Sequence, residues 1–148
     1  TDSEYKMHFA IWCLFGCPLI IGADIRNLNE YTKSLLLNKE LIRINQDVEA
    51  RPPYPLEATA FWGFEKTPIF MKILSDNEYV FAVFNTTNRN FSAKIMFELA
   101  GVPGNTGYGF ELYDVFNGEY LGFKKDFCNT VVLPHDCVVL RGKLVKYE

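Results

Sequence analysis

Cys17-Pro18-Leu19-Ile20-Ile21-Gly22-Ala23-Asp24-Ile25-Arg26-Asn27 is the stretch on which the reading of the fold turns. It is a short apolar run, entered through a proline and left through a small residue and an acid. Such a run predicts a buried strand whose carboxyl end presents Asp24 at a rim. Helix-like segments precede and follow it, the order of a strand in an α/β layer with helices packed on both sides. The later part of the chain reads differently, as short strands and turns.

Upstream, Thr1-Asp2-Ser3-Glu4 has the form of a capping box, in which the cap threonine and the glutamate satisfy helix-start amides. Met7, Phe9, Ala10, Ile11, Trp12, Leu14 and Phe15 then make a helix that is apolar on almost every side, so it is expected to be buried on more than one face. Gly16 is placed to end it, with Pro18 just beyond. His8 is read as a packed or capped histidine rather than a ligand or base. Downstream, Asn29 and Asn38 are plausible caps for two short helices, whose core face is supplied by Leu35, Leu36, Leu41, Ile42 and Ile44.

Residues 48–56 carry three prolines and form the best boundary in the chain. Residues 1–50 would be one unit and 51–148 another. Beyond the boundary the period changes. Ile69–Leu74 and Tyr79–Asn85 read as a hairpin around Ser75-Asp76-Asn77-Glu78. Further short strands are read at Phe91–Glu98, Gly109–Phe116, Tyr120–Phe123, Asn129–Leu133 and Cys137–Arg141, with Asn117-Gly118 as a strong turn signal. The expected class is mainly β: an antiparallel Greek-key β-sandwich preceded by a helix-strand-helix unit. That unit poses a difficulty. A strand between two buried helices needs sister strands on both sides, and a closed (β/α)8 barrel needs about 250 residues. The first fifty residues look like the last unit of such a barrel.

Composition narrows the function. The chain has 148 residues, is about half apolar and carries a net charge of −3. That is a globular composition, and no basic run marks a nucleic-acid partner. No apolar run approaches the roughly 20 residues of a membrane helix. The chain opens on helix-start residues without a charged stretch ahead of an apolar one, so no secretion leader is expected in it. Cys13 and Cys17 read as small buried hydrophobes. Cys128 and Cys137 are candidates to meet across a hairpin, which sequence alone does not settle. No cysteine–histidine cluster has zinc spacing, so no metal is expected. The Gly101–Gly107 loop lacks the strand-to-helix context of a phosphate cradle, and no cofactor is implied. Two glycosylation sequons occur, Asn85-Thr86-Thr87 and Asn90-Phe91-Ser92.

Met7-His-Phe-Ala-Ile-Trp-Cys-Leu-Phe-Gly-Cys-Pro-Leu-Ile-Ile-Gly-Ala-Asp-Ile-Arg-Asn27 resembles the end of the catalytic barrel in glycoside hydrolase family 27, the α-galactosidases (melibiases). The stretch from Lys33 to Ile44-Asn-Gln-Asp47 is similar to that family's closing helix. Tyr113-Asp-Val-Phe-Asn-Gly118 resembles the Asp-Leu-Trp-Thr-Gly turn of its C-terminal β-sandwich, and Val132-Leu-Pro-His135 resembles the Pro-Pro-His before its last strand. The resemblance covers the whole chain, most strongly residues 7–47. It implies a parent enzyme that hydrolyses terminal α-galactosides with retention, using two carboxyl groups about 5 Å apart. In the family both are aspartates on earlier barrel strands. No catalytic residue carries over to this sequence, so the chain alone is expected to be inactive.

Asp24 and Arg26 are the candidate rim residues, since barrel active sites gather at the carboxyl ends of strands. They would orient a loop or hold a charge near the sugar pocket. The plainer reading is an Asp24 that bonds loop amides or pairs with an arginine. Asp47 and Glu49 read as cap or linker residues, and Asp114 and Asp126 as solvated acids of the sandwich. Phe61, Trp62, Phe64, Tyr79, Tyr108, Tyr113, Phe116 and Tyr120 are read as core and interface fillers, with a sugar-stacking platform as the alternative. Two functions follow: the C-terminal part of an α-galactosidase-like enzyme, partnered by a barrel, or a stand-alone carbohydrate-binding or assembly module. An uncovered strand at 19–21 predicts self-association of the isolated chain.

Overall fold

The computed structural model describes residues 1–56 and 69–147. Three helices come first: α1 (Asp2–Leu14), α2 (Glu30–Leu36) and α3 (Lys39–Asn45). Their starts obey the sequence. The Thr1 hydroxyl accepts the Glu4 amide at 3.4 Å, Asn29 accepts from Thr32 at 2.7 Å and Asn38 from Leu41 at 3.0 Å. These side chains satisfy amides that have no partner within the helix. α1 ends in a Schellman turn. Gly16 takes φ +66°, its N–H donates to the Cys13 carbonyl and the Cys17 N–H donates to the Trp12 carbonyl.

The segment 17–24 departs from expectation. It forms no strand. Among the described residues, the backbone of 18–23 makes one backbone bond, Ile20 N–H to Pro18 carbonyl. Ile20 and Ile21 are 84% and 54% exposed rather than buried. The reason is a missing partner: a strand exists only through its neighbours, and no described strand lies beside this one. The helix-strand-helix reading therefore keeps its helices and loses its middle element.

The remaining described residues form β1 (Tyr54–Pro55), β2 (Ile69–Ile73), β3 (Glu78–Asn85), β4 (Phe91–Met96), β5 (Tyr108–Asp114), β6 (Tyr120–Lys124), β7 (Phe127–Val132) and β8 (Asp136–Lys146). Six make one antiparallel sheet in the order β1-β2-β3-β8-β5-β6, and β4 pairs with β7 in a second. β2 and β3 are the expected hairpin, with Ile73 opposite Tyr79. Its turn holds Asp76 and Asn77 at positive φ, which short polar side chains tolerate. The chain changes sheet between β3 and β4, β4 and β5, β6 and β7, and β7 and β8, so β3 and β8 are spatial neighbours far apart in sequence.

The large sheet is covered on both sides. Towards β4–β7, Met71, Phe81, Val83, Phe97, Phe110, Leu112 and Leu140 make one core. Phe81, Phe97 and Phe110 contact one another with ring centroids 4.8–5.5 Å apart. Burying each contributes roughly 1.5–3 kcal/mol. On the opposite face, Val80, Ala82, Phe84, Cys137 and Val139 pack with Ala10, Cys13 and Leu14 of α1 and with Leu35, Leu41 and Ile44. Alternate residues of β3 thus enter different cores, so its sequence is apolar without a break. Cys128 belongs to the first core and Cys137 to the second, and all four cysteines are free thiols.

Two arginines and two glutamates tie α3 to the two central strands of the large sheet. Arg141 reaches Glu40 at 3.0 Å and Glu78 at 2.8 Å, while Arg43 reaches Glu78 at 2.7 Å. The Arg141 guanidinium also lies 4.5 Å from the centre of the Tyr113 ring.

Candidate functional site

An apolar groove lies between α1, the irregular segment 19–23 and α2. Its volume is about 230 Å³, and its walls include Phe9, Trp12, Leu19, Ile20, Ile21 and Leu36. The sequence builds it simply. The first helix is apolar nearly all round, but only the side bearing Ala10, Cys13 and Leu14 meets the sheet. The other side is left facing out, with Tyr5 60% and Trp12 39% exposed. Asn45 fixes the near end of the segment, its carboxamide donating to the Cys17 carbonyl at 2.9 Å.

The walls hold no carboxylate. His8 lines the groove, is exposed, and meets Trp12 edge-on with ring centroids 5.7 Å apart. It is neither packed in a core nor a helix cap, because it sits on the uncovered side of α1.

Asp24 and Arg26 stand just past the groove and do not line it. Asp24 caps the short turn Ile25–Asn27. It accepts the Arg26 amide at 3.1 Å, the Arg26 Nε at 2.9 Å and Nη2 at 3.0 Å, and the Asn27 carboxamide at 3.0 Å. The Arg26 side chain, then its amide, holds the Asp24 carboxyl below its ordinary value. The pair is solvent-exposed, and the arrangement can hold a fixed, ionised carboxylate at the mouth of the groove.

The other acids are dispersed. Asp47 accepts the Ser75 amide at 3.0 Å and the Ser75 hydroxyl at 2.7 Å, and so pins the connector to the β2–β3 turn. Burial alone would raise its carboxyl, but the Ser75 and Glu49 donors outweigh burial and hold it low. Glu49 pairs with Arg51 at 2.7 Å. Asp114 organises the Asn117-Gly118 turn, accepting the Phe116 and Asn117 amides at 2.8 and 3.0 Å. Asp126 carries the carbonyl that accepts the Phe97 amide at 3.0 Å. Among the described residues no group of three metal-ligating side chains comes together.

Of the aromatics, Tyr79 packs on Phe110 at 4.9 Å in the sandwich core. Tyr113 and Tyr120 face each other at 5.0 Å on the outer edge, with Tyr120 51% exposed. Phe61, Trp62 and Phe64 lie outside the described residues. Sequence reasoning missed Lys72, which is buried with its ammonium on the Ile44 carbonyl at 2.9 Å. The signal was present: it is the one charge inside Ile69-Phe-Met-Lys-Ile-Leu74.

Residues 65–141 match the family model described as the alpha galactosidase C-terminal beta sandwich domain. The chain belongs to the α-galactosidase family. Residues 1–47 match a second model of that family, described as alpha galactosidase A. Among curated relatives, alpha-galactosidase mel1 of Schizosaccharomyces pombe is 38% identical over 90 residues, covering 58% of this chain and 20% of the relative. Alpha-galactosidase A of Cellvibrio japonicus is 27% identical over 149 residues, covering 95% of this chain and 35% of the relative. The crystal structure of alpha-galactosidase I from Mortierella vinacea superposes with a TM-score of 0.85 at 23% identity, covering all of this chain and 37% of that one. The α-galactosidase match thus runs through the helices and the sandwich, while the chain spans well under half the length of these relatives. The α-galactosidase sandwich and the helices before it are the fold expected from the sequence.

Proposed function

We propose that these residues are the noncatalytic C-terminal part of a retaining α-galactosidase, acting with a barrel that carries the catalytic carboxylates. The observation that carries this reading is the segment Leu19–Ala23: apolar in sequence, exposed at Ile20 and Ile21, and without a neighbouring strand among the described residues. Its largely unpaired backbone and the exposed side of α1 together offer free hydrogen-bonding groups beside an apolar flank, which a neighbouring strand would pair and bury. In this reading residues 1–50 complete the barrel and residues 51–148 form the sandwich that supports it. Asp24 and Arg26 lie at the rim, where their fixed charge orients the neighbouring loop. The groove walls have no carboxylate pair, which supports a chain that by itself does not cleave glycosides.

The test is a pair of assays on p-nitrophenyl α-galactoside. The 148-residue chain is expected to show no turnover. The same residues, exchanged for the matching segment of the Schizosaccharomyces pombe relative, are expected to give a folded, active chimera. Turnover by the isolated chain that survives Asp24→Asn would overturn the noncatalytic assignment. A folded but inactive chimera would overturn the barrel-completing one.

A further inference from the structure

The two sequons occupy opposite environments, although they are five residues apart in the connection from β3 to β4. Asn85 is fully buried at the end of β3. Its amide nitrogen donates to the carbonyls of Arg89 at 2.7 Å, Val132 at 3.1 Å and Leu133 at 2.9 Å. Its amide oxygen accepts the Thr87 amide at 3.0 Å and the Thr87 hydroxyl at 2.8 Å. Every polar atom of that carboxamide, and the hydroxyl that completes its sequon, is already engaged. These bonds hold the 86–90 loop against the end of β7. A buried carboxamide with this many partners cannot be released without leaving several carbonyls unsatisfied.

Asn90 is different. It is exposed, it sits in the loop just before β4, and among the described residues its carboxamide has no hydrogen-bond partner. Ser92, the hydroxyl of its sequon, is exposed on β4. Among the described residues that strand pairs with β7 alone, which leaves its other edge without a strand. The outer surface beside it carries Val131 and Leu133, 57% and 56% exposed. A short two-stranded sheet with an open edge and apolar side chains is a surface that a bulky hydrophilic group would shield from pairing with other chains.

We infer that Asn90 is an N-glycan acceptor site of the folded chain and that Asn85 is not. The donor is an oligosaccharide on a lipid pyrophosphate. The Asn90 amide nitrogen forms a bond to the anomeric carbon, the bond from that carbon to the pyrophosphate oxygen breaks, and the amide proton leaves with the lipid pyrophosphate. In Asn85 the same nitrogen is held against three carbonyls and is closed to both the donor and the transferase.

The experiment presents the purified, folded, unglycosylated chain to a single-subunit oligosaccharyltransferase with its lipid-linked oligosaccharide. Sites are then mapped by mass spectrometry after enzymatic glycan release in heavy-oxygen water. The expected result is a mass tag at Asn90 and none at Asn85. Asn90→Gln is expected to abolish the gel shift and leave the thermal unfolding midpoint unchanged. A tag at Asn85 in the folded chain, or no tag at Asn90, overturns the inference. Secretion of the chain from yeast behind a leader peptide gives an independent reading. The folded secreted fraction is expected to carry its glycan at Asn90, and a glycan at Asn85 in that fraction also overturns the inference.

Discussion

The ammonium of Lys72 donates to the carbonyl of Ile44 across 2.9 Å, joining the centre of β2 to the last turn of α3. Ile44 lies where helix carbonyls run out of intrahelical partners and carry partial negative charge. A cation there satisfies the carbonyl and complements the dipole. The arrangement explains why a lysine is kept inside the core that binds the helices to the sheet.

Lys72→Met keeps the aliphatic stem and removes only that donor. It is expected to lower the free energy of unfolding by about 1–3 kcal/mol, the cost of an unsatisfied buried acceptor. Urea denaturation followed by tryptophan fluorescence measures it. An unchanged or raised midpoint would mean that desolvating the charge costs as much as the bond returns.

Two thiols set the alkaline limit. Burial pushes both Cys13 and Cys137 up to about 12. Their unfolded counterparts ionise near 8.5. Between those values the folded chain holds more protons than the unfolded one, so stability falls as pH rises. Lys72 works in the opposite sense, because burial lowers its ammonium, and it lies close enough to Cys13 to blur that site. Cys137 is therefore the cleaner probe. Cys137→Ala is expected to reduce the loss of stability above pH 9 by about 1.4 kcal/mol per pH unit. Chemical denaturation at pH 8, 9 and 10 checks the slope, and an unchanged slope would contradict the assignment.

Asp47 sets part of the acid limit. Its carboxyl is held low in the folded chain by Ser75 and Glu49 donors. Its contribution is complete above the unfolded value near 4 and disappears as pH falls through the depressed folded value. Asp47→Asn is expected to cost about 1 kcal/mol at pH 7, the scale of one partly solvated charge-assisted contact. At pH 3 the gap between the variant and the parent is expected to be smaller than at pH 7. Equal destabilisation at both pH values would show that the loss is steric rather than electrostatic.

Much of this architecture was legible in the residues. The caps at Thr1, Asn29 and Asn38 and the Gly16 stop are local chemistry, and they appear where the sequence places them. The hairpin around Asp76-Asn77 and the Asp114–Gly118 turn are local too. What was not legible depends on partners. Leu19–Ala23 has the composition of a strand, but strand structure belongs to a pair of segments and not to one. Tyr79–Phe84 reads as a sandwich strand, and nothing in it announces that Val80, Ala82 and Phe84 meet helices rather than solvent. The Glu40–Arg141 and Glu78–Arg43 contacts join residues 101 and 35 positions apart, beyond the reach of any local pattern. At the candidate site, Asp24 and Arg26 do meet, as their spacing on a turn allows. The groove beside them follows only from which side of α1 the sheet leaves uncovered.

That uncovered side gives the sharpest test of the docking surface. Ile20 and Ile21 are 84% and 54% exposed, so they contribute little to the isolated fold. Changing both to aspartate is expected to shift the unfolding free energy of the chain by no more than about 0.5 kcal/mol, as for other surface positions. The same double change is expected to abolish activity of the chimera with the Schizosaccharomyces pombe relative, since two carboxylates would be buried without partners against an apolar strand. If the isolated chain instead covers the groove with a second copy, light scattering of the parent chain will show a dimer and the Ile20→Asp, Ile21→Asp variant a monomer. A double variant that unfolds the isolated chain would place these isoleucines in its own core. A variant chimera with full activity would remove the segment from the barrel interface and the docking reading with it.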